Sequence, residues 1–169
     1  MPDTSTEVAL ATTTLGANAA TITLSSIPST YTDLRVVLTG TIANGSGNTI
    51  YLRFNSSATN TYSTTRMYGD GTGAYSSRYN SGVDTRQYVT EYVYSVPYLT
   101  CINVFSYAGS THKSTLIESS FYDSAGQGKA ERTAGLWQDT SAINTITFSL
   151  NGSVARFASG TTATLYGIL

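Results

Sequence analysis

One pattern constrains this chain more than any other. Short segments in which apolar and polar residues alternate recur at intervals of about ten residues, each closed by a turn rich in Gly, Ser or Asn. A period of two places every second side chain on the same face of an extended strand, whereas a helix would need a period near 3.6. In "DLRVVLTGTI", Leu34, Val36, Leu38 and Ile42 share one parity. In "TIYLRFN", Ile50, Leu52 and Phe54 face one way while Tyr51 and Arg53 face the other. "KSTLIESSFYD", "KAERTAGLW", "INTITFSL" and the closing "ATLYGIL" repeat the theme.

Composition points the same way. About three residues in ten are Ser or Thr, with 15 Gly and 13 Tyr beside them. Thr and Tyr favour strands, and Gly, Ser and Asn favour turns. Lys occurs only twice, and the Glu/Lys/Leu/Ala blocks that cover exposed helix faces are missing. The expected fold is all-β: an antiparallel two-sheet β-sandwich, of jelly-roll type, with about ten strands. A long β-meander barrel is the alternative. The chain reads as a single domain over 1–169, with 1–7 as an extended arm. Residues 55–82 read as a long Gly/Ser/Tyr-rich loop region, holding at most a strand around Tyr62 to Tyr68.

Charge excludes several partners. Charged residues make up 11% of the chain and the net charge is −1, so no basic field exists to hold nucleic acid or an anionic membrane. The first ten residues, "MPDTSTEVAL", lack the basic region and apolar core of a secretory signal, and no apolar run is long enough to form a membrane-spanning helix. Synthesis in a cytoplasm is the expectation. Cys101 is the single cysteine, so one chain can form no disulfide. Its alternation with Leu99 and Phe105 reads as a core strand face.

Groups capable of catalysis are few. His112 is the only histidine and lies in a turn-like "GSTHKS", with no G-x-S-x-G elbow to present a nucleophile. One His and one Cys cannot build a transition-metal site. "GDGTG" around Asp70 lacks the further acidic ligands of a calcium loop. Glu118, Asp123, Glu131 and Asp139 are spread so that no pair stands out as a glycosidase couple. The expectation is a non-enzyme with no cofactor and no metal. The sequons at Asn44, Asn55 and Asn151 read as turns.

Two features suit binding. Tyr88, Tyr92, Tyr94 and Tyr98 share one parity and would form one face of an unbroken strand, a candidate partner contact, although Val89 and Val93 compete for the core. The segment "MYGDGTGAYSSRYNSG" offers Tyr68, Tyr75, Arg78 and Tyr79 in the residue mix of adaptable recognition loops.

Four stretches, "AATITLSSIPSTYTDLRVVL", "YLRFNSSATNTYSTTRMYG", "AGLWQDTSAINTITFSL" and "FASGTTATLYGIL", occur in an order that resembles small virion structural proteins of tailed bacteriophages. The shared cues are an S-I-P-x-x-Y-x-D-L entry, an L-R-F-N segment followed by x-Y-S, a Trp strand before an I-N-T-I-T strand, and a T-L-Y-G-I ending. The resemblance implies a β-sandwich, commonly trimeric, located in the virion. The expected function is a head decoration (cement) protein that binds the major capsid protein and copies of itself as a homotrimer, and so stabilises the shell. A tail-fibre or spike domain recognising host surface glycan is the alternative. The resemblance brings no catalytic residues. Physically, Pro28 fixes the chain before a long strand, and Asp33 is placed to accept backbone N–H groups. Trp137 is expected in the core with its indole N–H satisfied, and Gly167 is expected to admit a close backbone.

Overall fold

A computed structural model describes residues 6–44, 47–122 and 126–169, with the side chains at 80–83 and 92 outside that description. No helix occurs among the described residues, and the chain folds into strands joined by turns. Twelve strands build two facing sheets. They are β1 (Glu7–Thr14), β2 (Thr21–Leu24), β3 (Asp33–Gly40), β5 (Asn48–Phe54), β6 (Tyr62–Gly69), β7 (Ala74–Asp84), β8 (Gln87–Val93), β9 (Tyr98–Phe105), β10 (Lys113–Tyr122), β11 (Gly128–Trp137), β12 (Ile146–Leu150) and β14 (Thr162–Ile168). Two short strands, β4 (Ile42–Ala43) and β13 (Arg156–Phe157), pair with each other at the side.

The larger sheet has the order β1-β14-β3-β9-β10-β11-β6-β7 and the smaller the order β2-β12-β5-β8. Every pairing is antiparallel. The all-β sandwich is therefore as the alternation predicts. The jelly-roll subtype is not confirmed. Three consecutive strands, β9, β10 and β11, stay side by side in one sheet, whereas a jelly roll passes repeatedly from sheet to sheet through its Greek keys.

The core lies between the sheets and follows the period of two. Leu34, Val36 and Leu38 of β3, Ile102 and Val104 of β9, Ile117 of β10 and Leu165 of β14 are buried from the larger sheet. Ile22, Leu24, Ile50, Leu52, Phe54, Val89 and Phe148 meet them from the smaller one. Trp137 is 1% exposed and packs 5.4 Å from Phe54 and 6.3 Å from Tyr62, ring centre to ring centre. Its burial is as expected, but its indole N–H has no hydrogen-bond partner, contrary to expectation. The Tyr62 hydroxyl accepts the Phe54 N–H at 3.0 Å, which ties β6 of one sheet to β5 of the other.

Two expectations about extended segments change. Residues 55–82 are mostly not loop: β6 and β7 form an antiparallel hairpin, with Tyr68 opposite Tyr75 and Gly69 opposite Ala74. The Gly and Ser residues there are spent on the tight turn and on a solvated edge strand, where side chains need not be apolar. As for the arm, residues 1–5 lie outside the described residues, and Glu7 already belongs to β1, opposite Ile168.

The C-terminal strand is interior to its sheet. β14 pairs with β1 on one side and with β3 on the other. Gly167 does admit a close neighbour, but it is a ring and not a backbone: a Cβ there would lie 2.4–2.6 Å from ring carbons of Tyr31. Asp33 accepts the Ser106 N–H at 2.7 Å, fixing the start of β3 against the end of β9.

Candidate functional site

The outer face of the larger sheet has no second layer over it among the described residues. Along β9 the alternation buries Tyr98, Thr100, Ile102 and Val104 and turns Leu99, Cys101, Asn103 and Phe105 outward. Cys101 and its two apolar neighbours therefore sit on the open face, the reverse of the core reading. Alternation shows that two faces exist, and it does not say which one meets the other sheet. Leu99 (45%), Phe105 (39%), Met67 (59%) and Tyr122 (53%) are the exposed large apolar side chains of this sheet, besides Tyr75.

Two depressions mark that face. The first is lined by Glu7, Arg35, Val37, Cys101, Asn103, Glu118 and Tyr166. Within it Arg35 donates to both carboxylate oxygens of Glu7, at 3.1 and 3.3 Å, and to Asn103 Oδ1 at 3.0 Å. The second is a groove of about 640 Å³ at the far flank, where β10, β11 and the β6–β7 hairpin meet. It is lined by Met67, Tyr68, Tyr75, Ser76, Glu118 and Arg132, among others. Glu118 and Arg132 are cross-strand partners and form an exposed ion pair at 3.3 Å. The Tyr68 and Tyr75 rings stack at 5.0 Å on the other, inner face of these strands, where the Arg66 guanidinium lies 4.6 Å from the Tyr68 ring, so the outer side of the groove is made by Met67, Ser76, Glu118 and Arg132.

Between the sheets the same flank holds a charged cluster. Arg66 of β6 has a side chain only 4% exposed, with Nη1 2.5 Å from Glu91 Oε2 and 3.6 Å from Glu131 Oε1. Glu131 accepts hydrogen bonds from the hydroxyls of Thr90 (3.2 Å) and Thr133 (3.3 Å). The Tyr79 hydroxyl donates to Glu91 at 2.5 Å, and burial with this carboxylate pushes the phenol up to about 12. Arg66 Nε has no hydrogen-bond partner. Both carboxylates lean on one cation inside the sandwich, an arrangement that holds β8 against β6 and β11.

Burial raises the Glu131 carboxyl above the ordinary range, and Arg66, Thr90, the Glu91 backbone and Thr133 offset only part of that shift. A group whose folded pKa is raised favours the fold most when protonated, so its contribution is full below the unfolded pKa and is lost as pH rises through the folded one. In Glu131→Gln, stability relative to the unsubstituted protein should therefore increase on going from about pH 4 to about pH 7. Urea unfolding of both proteins at the two pH values checks this, and a stability of the variant relative to the unsubstituted protein that falls with rising pH would contradict it.

The tyrosine row does not form one face. β8 carries a register shift against β5, where Ile50 pairs with Thr90 and Tyr51 with Tyr88, so a bulge buries both Val89 and Thr90 and breaks the period of two. Tyr88 is half-buried, stacked on Tyr79 at 3.7 Å and edge-on to Tyr51 at 4.7 Å. Tyr92 lies on β8 with its side chain outside the described residues, and Tyr94 falls after the strand ends. Tyr98 belongs to β9 in the other sheet and is buried.

Of the four recognition residues, Tyr68 and Tyr75 stack on each other on the inner face of the β6–β7 hairpin, beside Arg66. Arg78 is exposed on β7. Tyr79 points between the sheets to Glu91.

Other sequence candidates resolve into structure. Asp70 accepts the Thr72 N–H (2.9 Å), the Thr72 hydroxyl (2.6 Å) and the Gly73 N–H (3.1 Å), bonds that hold its carboxyl below the ordinary range and use it to shape the hairpin turn. Asp139 accepts the Ser141 N–H at 2.7 Å. Asn55 has φ of 51° and accepts the N–H groups of Asn144 and Thr145, a turn residue as expected. His112 is exposed. Asp123 lies outside the described residues. Among the described residues no cluster of three or more His, Cys, Asp or Glu is placed to hold a metal ion. Sequence reasoning missed the Arg66, Glu91 and Glu131 cluster. Its only trace was one Arg and one Glu on core parities of β6 and β11, which pairing across the sandwich makes meaningful.

No protein-family model matches the chain, and no curated protein does.

Proposed function

We propose that this protein is a non-catalytic structural component of a tailed-phage particle, a capsid decoration protein that docks through the open face of its larger sheet. The observation that carries the reading is the half of that face built by β14, β3, β9 and β10. There Leu99 and Phe105 stand exposed beside half-buried Val37 and Cys101. The nearby charges of Arg35 and Glu7 neutralise each other. A face of this kind docks without leaving an unpaired charge buried.

Size bears on oligomerisation. Four strands about 4.8 Å apart and about seven residues long cover roughly 440 Å². A standard interface buries about 800 Å² per partner, so one protomer would bind weakly. Three copies joined as a trimer would engage together and gain avidity without new contacts. This supports an oligomer that staples several capsid subunits.

Leu99→Glu and Phe105→Glu, both on the exposed parity, should abolish co-sedimentation with capsids. Stability should change by no more than about 0.5 kcal/mol, as for other surface substitutions. Particles lacking the protein should release DNA at lower temperature than decorated ones. Equal release temperatures, or full binding by the charged variants, would refute the reading.

A further inference from the structure

Four edge strands bound the two main sheets, and three of them carry features that discourage pairing with another chain. β1 is kinked by a register shift between Ala9 and Ala11, β2 is four residues long, and β8 is broken by register shifts against β5. β7 has none of these over its first half. Residues 74–79 run in unbroken register along 64–69, with no Pro, no Lys and Arg78 as the one charge. Ala74, Tyr75, Ser76 and Arg78 are exposed. Among the described residues, no backbone hydrogen bond joins this stretch to anything but β6.

We infer that this edge binds a second copy of the chain, β7 against the partner's β7, antiparallel about a twofold axis at Ser76. The backbone selects that register. The Asp70 N–H donates to the Gly73 carbonyl at 3.4 Å, and bonded pairs alternate along an antiparallel ladder. Tyr75, Ser77 and Tyr79 therefore turn their backbone groups toward β6, and Ala74, Ser76 and Arg78 turn theirs outward. With Ser76 opposite the partner's Ser76, Ala74 lies opposite the partner's Arg78, and the converse holds at the other end. Every outward N–H and C=O of the stretch then finds a partner. An axis moved to Tyr75 or Ser77 would carry Arg78 or Ala74 past the regular stretch.

The side chains fit the same register. Opposite residues share a face, so Tyr75, on the inner face, lies across from the partner's Ser77 and diagonal to the partner's Tyr75. Diagonal neighbours are about 7–8 Å apart, within reach of aromatic rings. Tyr75 is 45% exposed and stacks on Tyr68 at 5.0 Å, so a second copy would continue that stack across the seam. On the outer face Arg78 meets the small Ala74 and no like charge. The two Arg78 residues stand about 14 Å apart, beyond a Debye length of about 10 Å. An isologous contact closes on two copies. It is therefore not the threefold contact of the proposed function. It leaves the docking face of β14, β3, β9 and β10 uncovered and does not rest on that reading.

Sedimentation equilibrium of the full chain from about 10 μM to about 1 mM, the span of weak contacts of this size, should show a mass that rises with concentration. Over the same range amide hydrogen exchange should slow at Ala74, Ser76 and Arg78, and stay constant at Tyr75, Ser77 and Tyr79, which are already bonded to β6. Ser76→Pro removes an outward N–H and no bond to β6, so it should abolish the association. Ala74→Glu sets a carboxylate opposite the partner's Arg78 and should tighten the pairing, whereas Ala74→Lys sets a like charge there and should weaken it. Each effect should be about two- to thirtyfold, because the pair occurs twice across the axis. The two Ala74 variants decide the matter even where Ser76→Pro does not fold. A constant mass up to about 1 mM, Ala74 variants that both move the same way, or slowed exchange confined to the other parity would each overturn the pairing. So would loss of capsid binding by Ser76→Pro when the intact protein does not self-associate, since the edge would then take a capsid segment.

Discussion

Deletion of Tyr166–Leu169 is expected to leave a chain that does not fold cooperatively. These residues include the last part of β14, which lies between β1 and β3 and not at an edge. Tyr166, Gly167 and Ile168 pair with Ala9, Val8 and Glu7 on one side and with Arg35, Leu34 and Asp33 on the other. Removing them opens a gap inside the sheet and strips backbone partners from two strands at once. The Thr32 N–H also loses the Ile168 carbonyl, a bond of 2.8 Å. With each lost backbone bond costing about 1 kcal/mol, and more where the group stays buried, half a dozen losses consume much of the roughly 5–15 kcal/mol that holds a domain together. The packing of the Tyr31 ring over Gly167 goes with them. Circular dichroism and thermal unfolding of the purified truncation should show no cooperative transition. A soluble truncation that melts near the intact protein would refute the interior role of the strand.

Arg66→Met should destabilise the fold by about 3–5 kcal/mol, the usual effect of removing one partner from a buried ion pair. The substitution keeps much of the side-chain volume, so the loss reports charge more than packing. Two carboxylates, Glu91 and Glu131, would remain between the sheets without their shared cation. Neutralising them as well, in Arg66→Met with Glu91→Gln and Glu131→Gln, should recover a large part of the loss, because no unpaired charge is then buried. Urea unfolding of the single and triple variants measures both effects. A single variant within about 1 kcal/mol of the intact protein would mean that water already reaches the cluster and screens it.

Strand existence was legible because it depends on local chemistry. The parity of Leu34, Val36 and Leu38, or of Ile50, Leu52 and Phe54, can be seen within a few residues, and all six are buried. The candidate sites were less legible, and each departure has a physical cause. The tyrosine row assumed an unbroken period of two, which a bulge at Val89 and Thr90 interrupts. Cys101 reads as a core residue because Leu99 and Phe105 are apolar, yet Thr100 on the opposite parity is fully buried, its hydroxyl 3.1 Å from Ser119. A buried Thr with a hydroxyl partner is as much a core residue as a Leu, and the partner is invisible in sequence. Residues 55–82 read as loop, with at most a strand around Tyr62 to Tyr68, because their Gly and Ser content matches loops, while pairing of β6 with β11 and β7 supplies the order.

The sequence by itself determined an all-β sandwich, its approximate strands, its near-neutral surface and the scarcity of catalytic groups, since alternation and composition act over a few residues. Only the tertiary structure decided which face of each strand is buried, that β14 is interior, that Arg66 meets Glu91 and Glu131, and that Glu118 pairs with Arg132 on the outer face. Those facts depend on which distant strands pair and in what register. A shift of one residue exchanges the two faces of a strand while leaving its local pattern unchanged.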